Sequence, residues 1–285
     1  MRYLILLCLL VPFHAFAETS LWKVSKAGSE IFIGGTIHVL SISDYPLPEE
    51  FEQAYQRADM IVFETDLAIM AQPEVQQQFL QRVIYRNGRT IEDYVRPQTY
   101  QILVDYVAST ELRMEALKSF KPPLLMITLL MTELNRLGMA NIGVDDYFNQ
   151  KARIDGKVLG ELESFQVELS VIEKMGKNHE DEMILSTIKE MKELSSVMHE
   201  LKQAWRSGNS FLLEKIGISD MKVEYKDLYQ LLLVNRNKAW MPKIEAFLKT
   251  PEIEFILVGA LHLVGSDGLI SRLRAMGYKV ERFKP

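Results

Sequence analysis

Residues 30–38 read EIFIGGTIH and residues 254–262 read EFILVGALH, and the two stretches agree position for position in character. In each, an acidic residue opens an apolar run, a glycine stands three places before a histidine, and two apolar residues follow. A short apolar run bounded by glycine reads as a buried strand. A polar residue at the end of such a strand is delivered to the carboxyl edge of a sheet, where α/β proteins bind ligands. The glycine lets the backbone turn tightly or approach a ligand closely. Two strand-end histidine loops of one design, at opposite ends of the chain, point to two related halves whose loops face each other.

Outward from these stretches, Leu21 to Val24 and Ile31 to Ile33 flank Ala27-Gly28-Ser29 and predict a β-hairpin. A second buried strand, Met60 to Phe63, ends in Glu64-Thr65-Asp66, and a third, Lys157 to Leu162, ends in Glu161-Leu162-Glu163. The chain closes with strand Glu254 to Val258, a helix over Ser266 to Met276, and strand Tyr278 to Phe283. Helix is expected from Pro48 to Arg57, and from Pro73 to Arg136 with breaks at Asn87-Gly88, Pro97 and Pro122-Pro123. One long amphipathic helix is expected from His179 to Trp205, with more helix to Lys249 kinked at Pro242. The fold class is therefore α/β: a mixed central sheet with strands from both chain ends, covered by helices, with a large helical middle, all in one domain over residues 18–285.

Composition narrows the function. The chain has 285 residues, is 48% hydrophobic and 25% charged, and carries a net charge of −5 with no Lys/Arg-rich block. Nucleic-acid binding, which needs a basic face, is disfavoured. Met1-Arg2, the apolar run Leu4 to Val11 and the small-x-small Ala15-Phe16-Ala17 form the three parts of a secretory signal peptide over residues 1–17. The mature chain is thus expected in a bacterial periplasm or outside the cell. Cys8, the single cysteine, falls inside that peptide, leaving no disulfide, thiol nucleophile or cysteine metal ligand. The apolar stretch 122–131 (PPLLMITLLM) is followed closely by Glu133 and reads as a core helix, so no transmembrane segment is expected after cleavage.

Four strand ends bring His38, Glu64, Glu161 with Glu163, and His262 toward one crevice. Of Glu161 and Glu163, one is expected to face the crevice and the other away, and Asp66 to face solvent. Two imidazoles with carboxylates suit zinc, manganese, cobalt or iron. Such an ion lowers the pKa of water and polarises a carbonyl. Arg236-Asn237, read alone, is a solvated helical face. His179-Glu180 and His199-Glu200 begin like the zinc-protease motif His-Glu-x-x-His but lack its second histidine. The chain has no Gly-x-Ser-x-Gly elbow, phosphate-cradling loop or dinucleotide fingerprint.

The ordered set of motifs resembles the TraB/GumN family, whose animal relatives include the Tiki metalloproteases. It runs through Leu21-Trp22-Lys23-Val24, Gly34-Gly35-Thr36-Ile37-His38 and Phe63-Glu64-Thr65-Asp66. It continues with Gly143-Val144-Asp145, Leu162-Glu163-Ser164 with Gln166, Arg236-Asn237, Val258 to His262, and Gly265 to Leu269. The resemblance implies a metal-dependent hydrolase, most simply a peptidase. It implies His38, Glu64 and His262 as ligands to a divalent manganese, cobalt or zinc ion. It also raises Asp145, Glu163, Arg236 and Asn237 to candidate catalytic residues, with Glu163 as a supporting carboxylate or general base and Arg236 assisting charge. The alternative, on the same crevice, is a non-enzymatic exported binding protein or envelope accessory that holds a metal, haem or a partner's peptide.

Overall fold

Ala27 and Gly28 both take positive φ, 53° and 96°, as required of a two-residue turn that matches the twist of an antiparallel pair. They join β1 (Leu21–Lys26) to β2 (Ser29–Thr36) in register from Leu21 opposite Gly34 to Lys26 opposite Ser29. The computed structural model describes residues 19–139 and 141–284; the signal-peptide reading of residues 1–17 lies outside the described residues. The remaining strands are β3 (Val39–Leu40), β4 (Met60–Phe63), β5 (Asn141–Ile142), β6 (Val158–Glu161), β7 (Glu254–Gly259) and β8 (Lys279–Arg282).

Six strands form one sheet in the order β6-β4-β7-β2-β1-β8, while β3 and β5 pair separately. β6, β4, β7 and β2 run parallel; on one side β1 pairs antiparallel with β2, and β8 antiparallel with β1. The expected mixed sheet with strands from both ends of the chain is therefore present. The two matched stretches, β2 and β7, are direct neighbours, paired from Phe32 opposite Phe255 to Thr36 opposite Gly259. Ile31, Phe32, Ile33, Phe255, Ile256, Leu257 and Val258 are all fully buried, which is the continuous apolar run of a strand covered on both faces. Burying each such side chain contributes about 1.5–3 kcal/mol. Gly34 is required between them: a Cβ there would stand 2.9 Å from Phe51 on the covering helix Glu49–Arg57 and 3.0 Å from Phe255.

The helical middle follows its punctuation. Helices Pro73–Val83, Pro97–Ala108 and Pro122–Arg136 each open on proline, whose missing N–H is not needed in the first turn. Asn87 and Gly88 take positive φ at the expected break. Leu103, Val107, Leu125 and Leu129 meet Ile184 and Ile188 in a second apolar cluster away from the sheet. That cluster explains a correction. The single helix expected over His179 to Trp205 is two, Glu180–Met191 and Leu194–Arg206. Ile184 and Ile188 bury in the second cluster, whereas Leu194, Met198 and Trp205 bury in the main core. One straight helix cannot serve both. Trp205 is tied to the sheet by its Nε1–H, which donates to the Gly35 carbonyl at 2.5 Å.

Beyond it come helices Ser210–Gly217, Ser219–Glu224 and Lys226–Tyr229, a π-helical turn at Gln230–Val234, and helix Asn235–Phe247 with Pro242 inside it. The last helix is shorter than expected, Leu269–Ala275, because residues 265–268 form a turn opened by Gly265 at φ 78°. Among the described residues no helix is long and apolar enough to cross a membrane.

Candidate functional site

The four parallel strands place their carboxyl ends on one edge, in the spatial order β6, β4, β7, β2. Glu163, Glu64, His262 and His38 follow those ends in the same order. β2 runs past Thr36 to His38, and β3 then pairs with β5, Val39 opposite Ile142. This pairing brings in Gly143, where a Cβ would lie 2.2 Å from the His38 carbonyl carbon and oxygen. Only glycine allows that approach, and helix Val144–Asp155 starts directly against the loop. Asp145, in the first turn where the helix dipole favours an anion, accepts from His38 Nδ1 at 2.8 Å. The His38 ring is 69% exposed.

β7 ends differently. After Gly259 the chain turns inward through a 3-10 turn, Ala260–His262, and His262 is 4% exposed. Its ring lies 4.5 Å from that of Trp240. Asn237 Nδ2 donates to the carbonyls of His262 and Asp267, at 3.1 and 3.0 Å. Its Oδ1 must therefore be the atom 2.7 Å from His262 Nδ1, which places the proton on Nδ1 and the lone pair on Nε2. Arg236 Nη1 stands 3.2 Å from that Nε2.

Glu64 and Glu163 are joined by the same arginine. Arg236 Nη2 donates to Glu64 Oε2 at 2.5 Å and lies 2.7 Å from Glu163 Oε1, to which Nε donates at 2.9 Å. Glu64 Oε1 accepts from the Gly259 N–H at 2.7 Å. Glu163 Oε2 accepts from Trp240 Nε1 at 2.8 Å, so both its oxygens are engaged. Glu161, by contrast, is exposed. Residues two apart would share a strand face; these two separate because β6 ends at Glu161. Asp66 is exposed, as expected, and pairs with Arg153 at 3.0 Å. All seven candidate residues thus fall at one edge of the sheet, in contacts that link His38 with Asp145 and Glu64, Glu163, Arg236, Asn237 and His262 with one another.

Across residues 20–282 the chain matches the TraB/PrgY/gumN family. It belongs to that family. No curated protein and no solved structure matches it. For this TraB/PrgY/gumN chain, the chemistry is therefore read from the site itself.

Gly259 marks where the groups converge. A Cβ at that position would lie 3.4 Å from Glu64 Oε1, 3.6 Å from His38 Nε2 and 3.7 Å from His262 Cδ2. The glycine keeps open a small space facing two imidazoles and a carboxylate. The charges there are sharply set. The Asp145 carboxylate raises the His38 pKa above the ordinary imidazole value, although water over the exposed ring screens the pair. Burial pushes His262 down to about 4, keeping it neutral at pH 7. Burial opposes ionisation of Glu64, but the His262 ring once protonated in acid, the Arg236 guanidinium, the His38 charge and the Gly259 N–H hold its pKa below the ordinary carboxylate value.

Each histidine engages Nδ1 with a fixed partner, the arrangement in which an outer partner orients a metal-ligating imidazole; His38 turns Nε2 toward Gly259, whereas His262 turns Cδ2 there and Nε2 to Arg236. The donor set suits a divalent transition metal in kind. No three acidic, histidine or cysteine side chains among the described residues stand close enough together to enclose an ion as they are, and Arg236 lies between two of the donors.

Two further residues belong to the site and were not singled out in the sequence. Trp240 holds Glu163, packs on His262 and lies 4.7 Å under the Arg236 guanidinium. It is one helical turn on from Arg236, a spacing that an amphipathic-helix reading assigns to the core. Glu168, in the helix Phe165–Lys174, accepts no hydrogen bond from a described residue. Burial, and then the Glu64 charge, raise its pKa. A separate cavity of about 340 Å³, lined by Gln78, Gln81, Arg82, Gln166, Leu169 and Ser170, includes none of these residues.

Proposed function

We propose that this chain is an exported metal-dependent hydrolase acting on peptide bonds, with His38, Glu64 and His262 holding a manganese, cobalt or zinc ion. The observation that carries the reading is the space over Gly259, faced by His38 Nε2, Glu64 Oε1 and the His262 ring, with both Nδ1 atoms already occupied. The chemistry supplied by such an ion is Lewis-acid polarisation of a carbonyl and acidification of water.

The chain's own residues do the rest. Asp145 orients His38, and Asn237 fixes the tautomer of His262. Glu163 and Trp240 grip Arg236, whose guanidinium is aimed at the same edge and serves to steady a carbonyl oxygen or anchor a substrate carboxylate. Since both Glu163 oxygens are engaged, its role in this scheme is to position Arg236 rather than to take a proton. The export part of the proposal rests on the tripartite pattern of residues 1–17.

The test is hydrolysis of a peptide library by the purified chain, with and without chelator, alongside elemental analysis of wild type, His38→Ala and His262→Ala. Chelator-sensitive cleavage, with metal lost in both variants, is the expected result. Equal metal content in all three proteins would remove the ligand assignment. Metal uptake without cleavage would favour the binding-protein alternative.

A further inference from the structure

Arg236 touches two of the three proposed ligands, His262 at the lone pair that would bind a cation and Glu64 at Oε2, the partner of the Oε1 that faces the Gly259 space. Its Nη1 meets His262 Nε2 at 3.2 Å, and its Nη2 meets Glu64 Oε2 at 2.5 Å. The His262 contact uses the ring's lone pair, because Asn237 fixes the proton on Nδ1. A lone pair facing a guanidinium N–H is not available to a metal. The single lone pair of His262 Nε2 cannot serve two cations, and a unit charge on the other oxygen of Glu64 beside a divalent ion in a protein interior is strongly repelled.

The arginine also has a second set of contacts that does not involve the proposed ligands. Nε donates to Glu163 Oε1 at 2.9 Å, Glu163 is itself held by Trp240, and the guanidinium stacks over the Trp240 ring. These contacts leave the side chain anchored when its two Nη groups let go. The π-helical turn Gln230–Val234 lies directly before Asn235, and such turns commonly mark functional positions in helices. Here it precedes the two neighbours, Arg236 and Asn237, that divide the site between them.

We infer that Arg236 is a built-in cation that competes with the metal for Glu64 and His262, so that metal uptake requires its two Nη groups to withdraw onto the Glu163–Trp240 anchor. This rests on the metal-centre reading above and adds to it an order of assembly. The guanidinium that would serve a substrate is released from the ligands only when a metal takes them.

The sign of one measurement decides it. Affinity for Mn²⁺, Co²⁺ and Zn²⁺ would be measured by calorimetry on the purified chain, for wild type, Arg236→Gln and Arg236→Lys, with His262→Ala as the non-binding control. The expected result is tighter binding by Arg236→Gln, on the order of tenfold or more for removal of a unit charge at this distance. Arg236→Lys, which keeps the charge but not the fork of donors, should fall between. If wild type binds metal and Arg236→Gln binds equally or more weakly, the competition is wrong while the metal centre stands. If neither protein binds metal, both readings fall together. Should Arg236→Gln not fold, Arg236→Lys decides alone: tighter binding supports the inference, and unchanged or weaker binding overturns it.

Discussion

The loop ending at His38 and the loop ending at His262 share their spacing and differ in almost everything that sets the chemistry of an imidazole. His38 lies on the rim, 69% exposed, with an acid on Nδ1. His262 lies inside, 4% exposed, with an amide on Nδ1 and a tryptophan against its face. Asp145 favours the charged ring of His38, whereas burial and the Arg236 charge favour the neutral ring of His262. The same four-residue motif therefore yields two imidazoles of different proton affinity. What differs is the partner delivered from elsewhere in the chain: a helix N-terminus for one loop, a helix interior for the other.

The largest effect should separate the loops by stability and unite them by activity. His38→Ala and His262→Ala should each lower hydrolysis at least about 100-fold if both serve the centre. Only His262→Ala should also destabilise, on the order of 3 kcal/mol, through the cavity and the unpaired amide it leaves. The exposed His38 should cost within about 0.5 kcal/mol. Paired melting and turnover measurements check this, and equal stability losses would erase the distinction between rim and interior.

Asn237→Ala isolates the partner. It strands His262 Nδ1 and two buried carbonyls, and should cost about 2–3 kcal/mol, read by denaturant unfolding. Asp145→Ala, whose partner His38 is exposed, should cost less than half as much. A reversal would mean that the rim, not the interior, holds the edge together.

A smaller effect concerns protons. Since Asp145 raises the His38 pKa, the stabilisation from this pair is fully present below the unfolded imidazole value of about 6.5 and is lost as pH rises through the folded value. Asp145→Asn should bring the His38 midpoint down toward about 6.5 in chelated protein, followed by NMR of the ring protons. An unmoved midpoint would assign the shift to another group.

The smallest effect uses the far end of β7 as a control. Glu254 is 3% exposed, its Oε2 has no partner among the described residues, and burial pushes its pKa up to about 7. Its contribution is greatest below the ordinary carboxylate value and is lost as pH rises through 7. Glu254→Gln should leave the melting temperature at pH 5 nearly unchanged and raise it at pH 8. Activity per folded molecule should not change, because the residue lies at the opposite end of the strand from the site.

Much of this comparison was legible before the fold. An apolar run followed by a histidine or glutamate is a local signal, and it placed β2, β4, β6, β7 and the residues at their ends. The partners were not local. Asp145 reaches His38 only because two-residue strands 100 residues apart pair and Gly143 permits the contact, and so short a strand has no periodicity to read. Arg236 and Asn237 looked like solvated helix because their partners lie on three other elements. Trp240 is core, and its indole N–H, which holds Glu163, is what sequence patterning does not weigh. Glu168 sits among helix residues that a polar face would accept equally well.

The central pairing of β2 with β7 has a consequence in time. Phe32 finds Phe255 across more than two hundred intervening residues, and contacts so distant along a chain form late and at a high entropic cost. While the chain is being made, His38, Glu64 and Glu163 are present long before β7, and Arg236 shortly before it; β7 is the strand that seats Gly259 and His262 between β4 and β2. Until it arrives the parallel sheet is split, with β2 on one side and β4 with β6 on the other. A nascent or C-terminally nicked chain lacking β7 thus carries most of the reactive side chains and none of their arrangement. The last strand to be synthesised in the parallel set acts as the keystone, and competence at this edge is a property of the finished molecule alone.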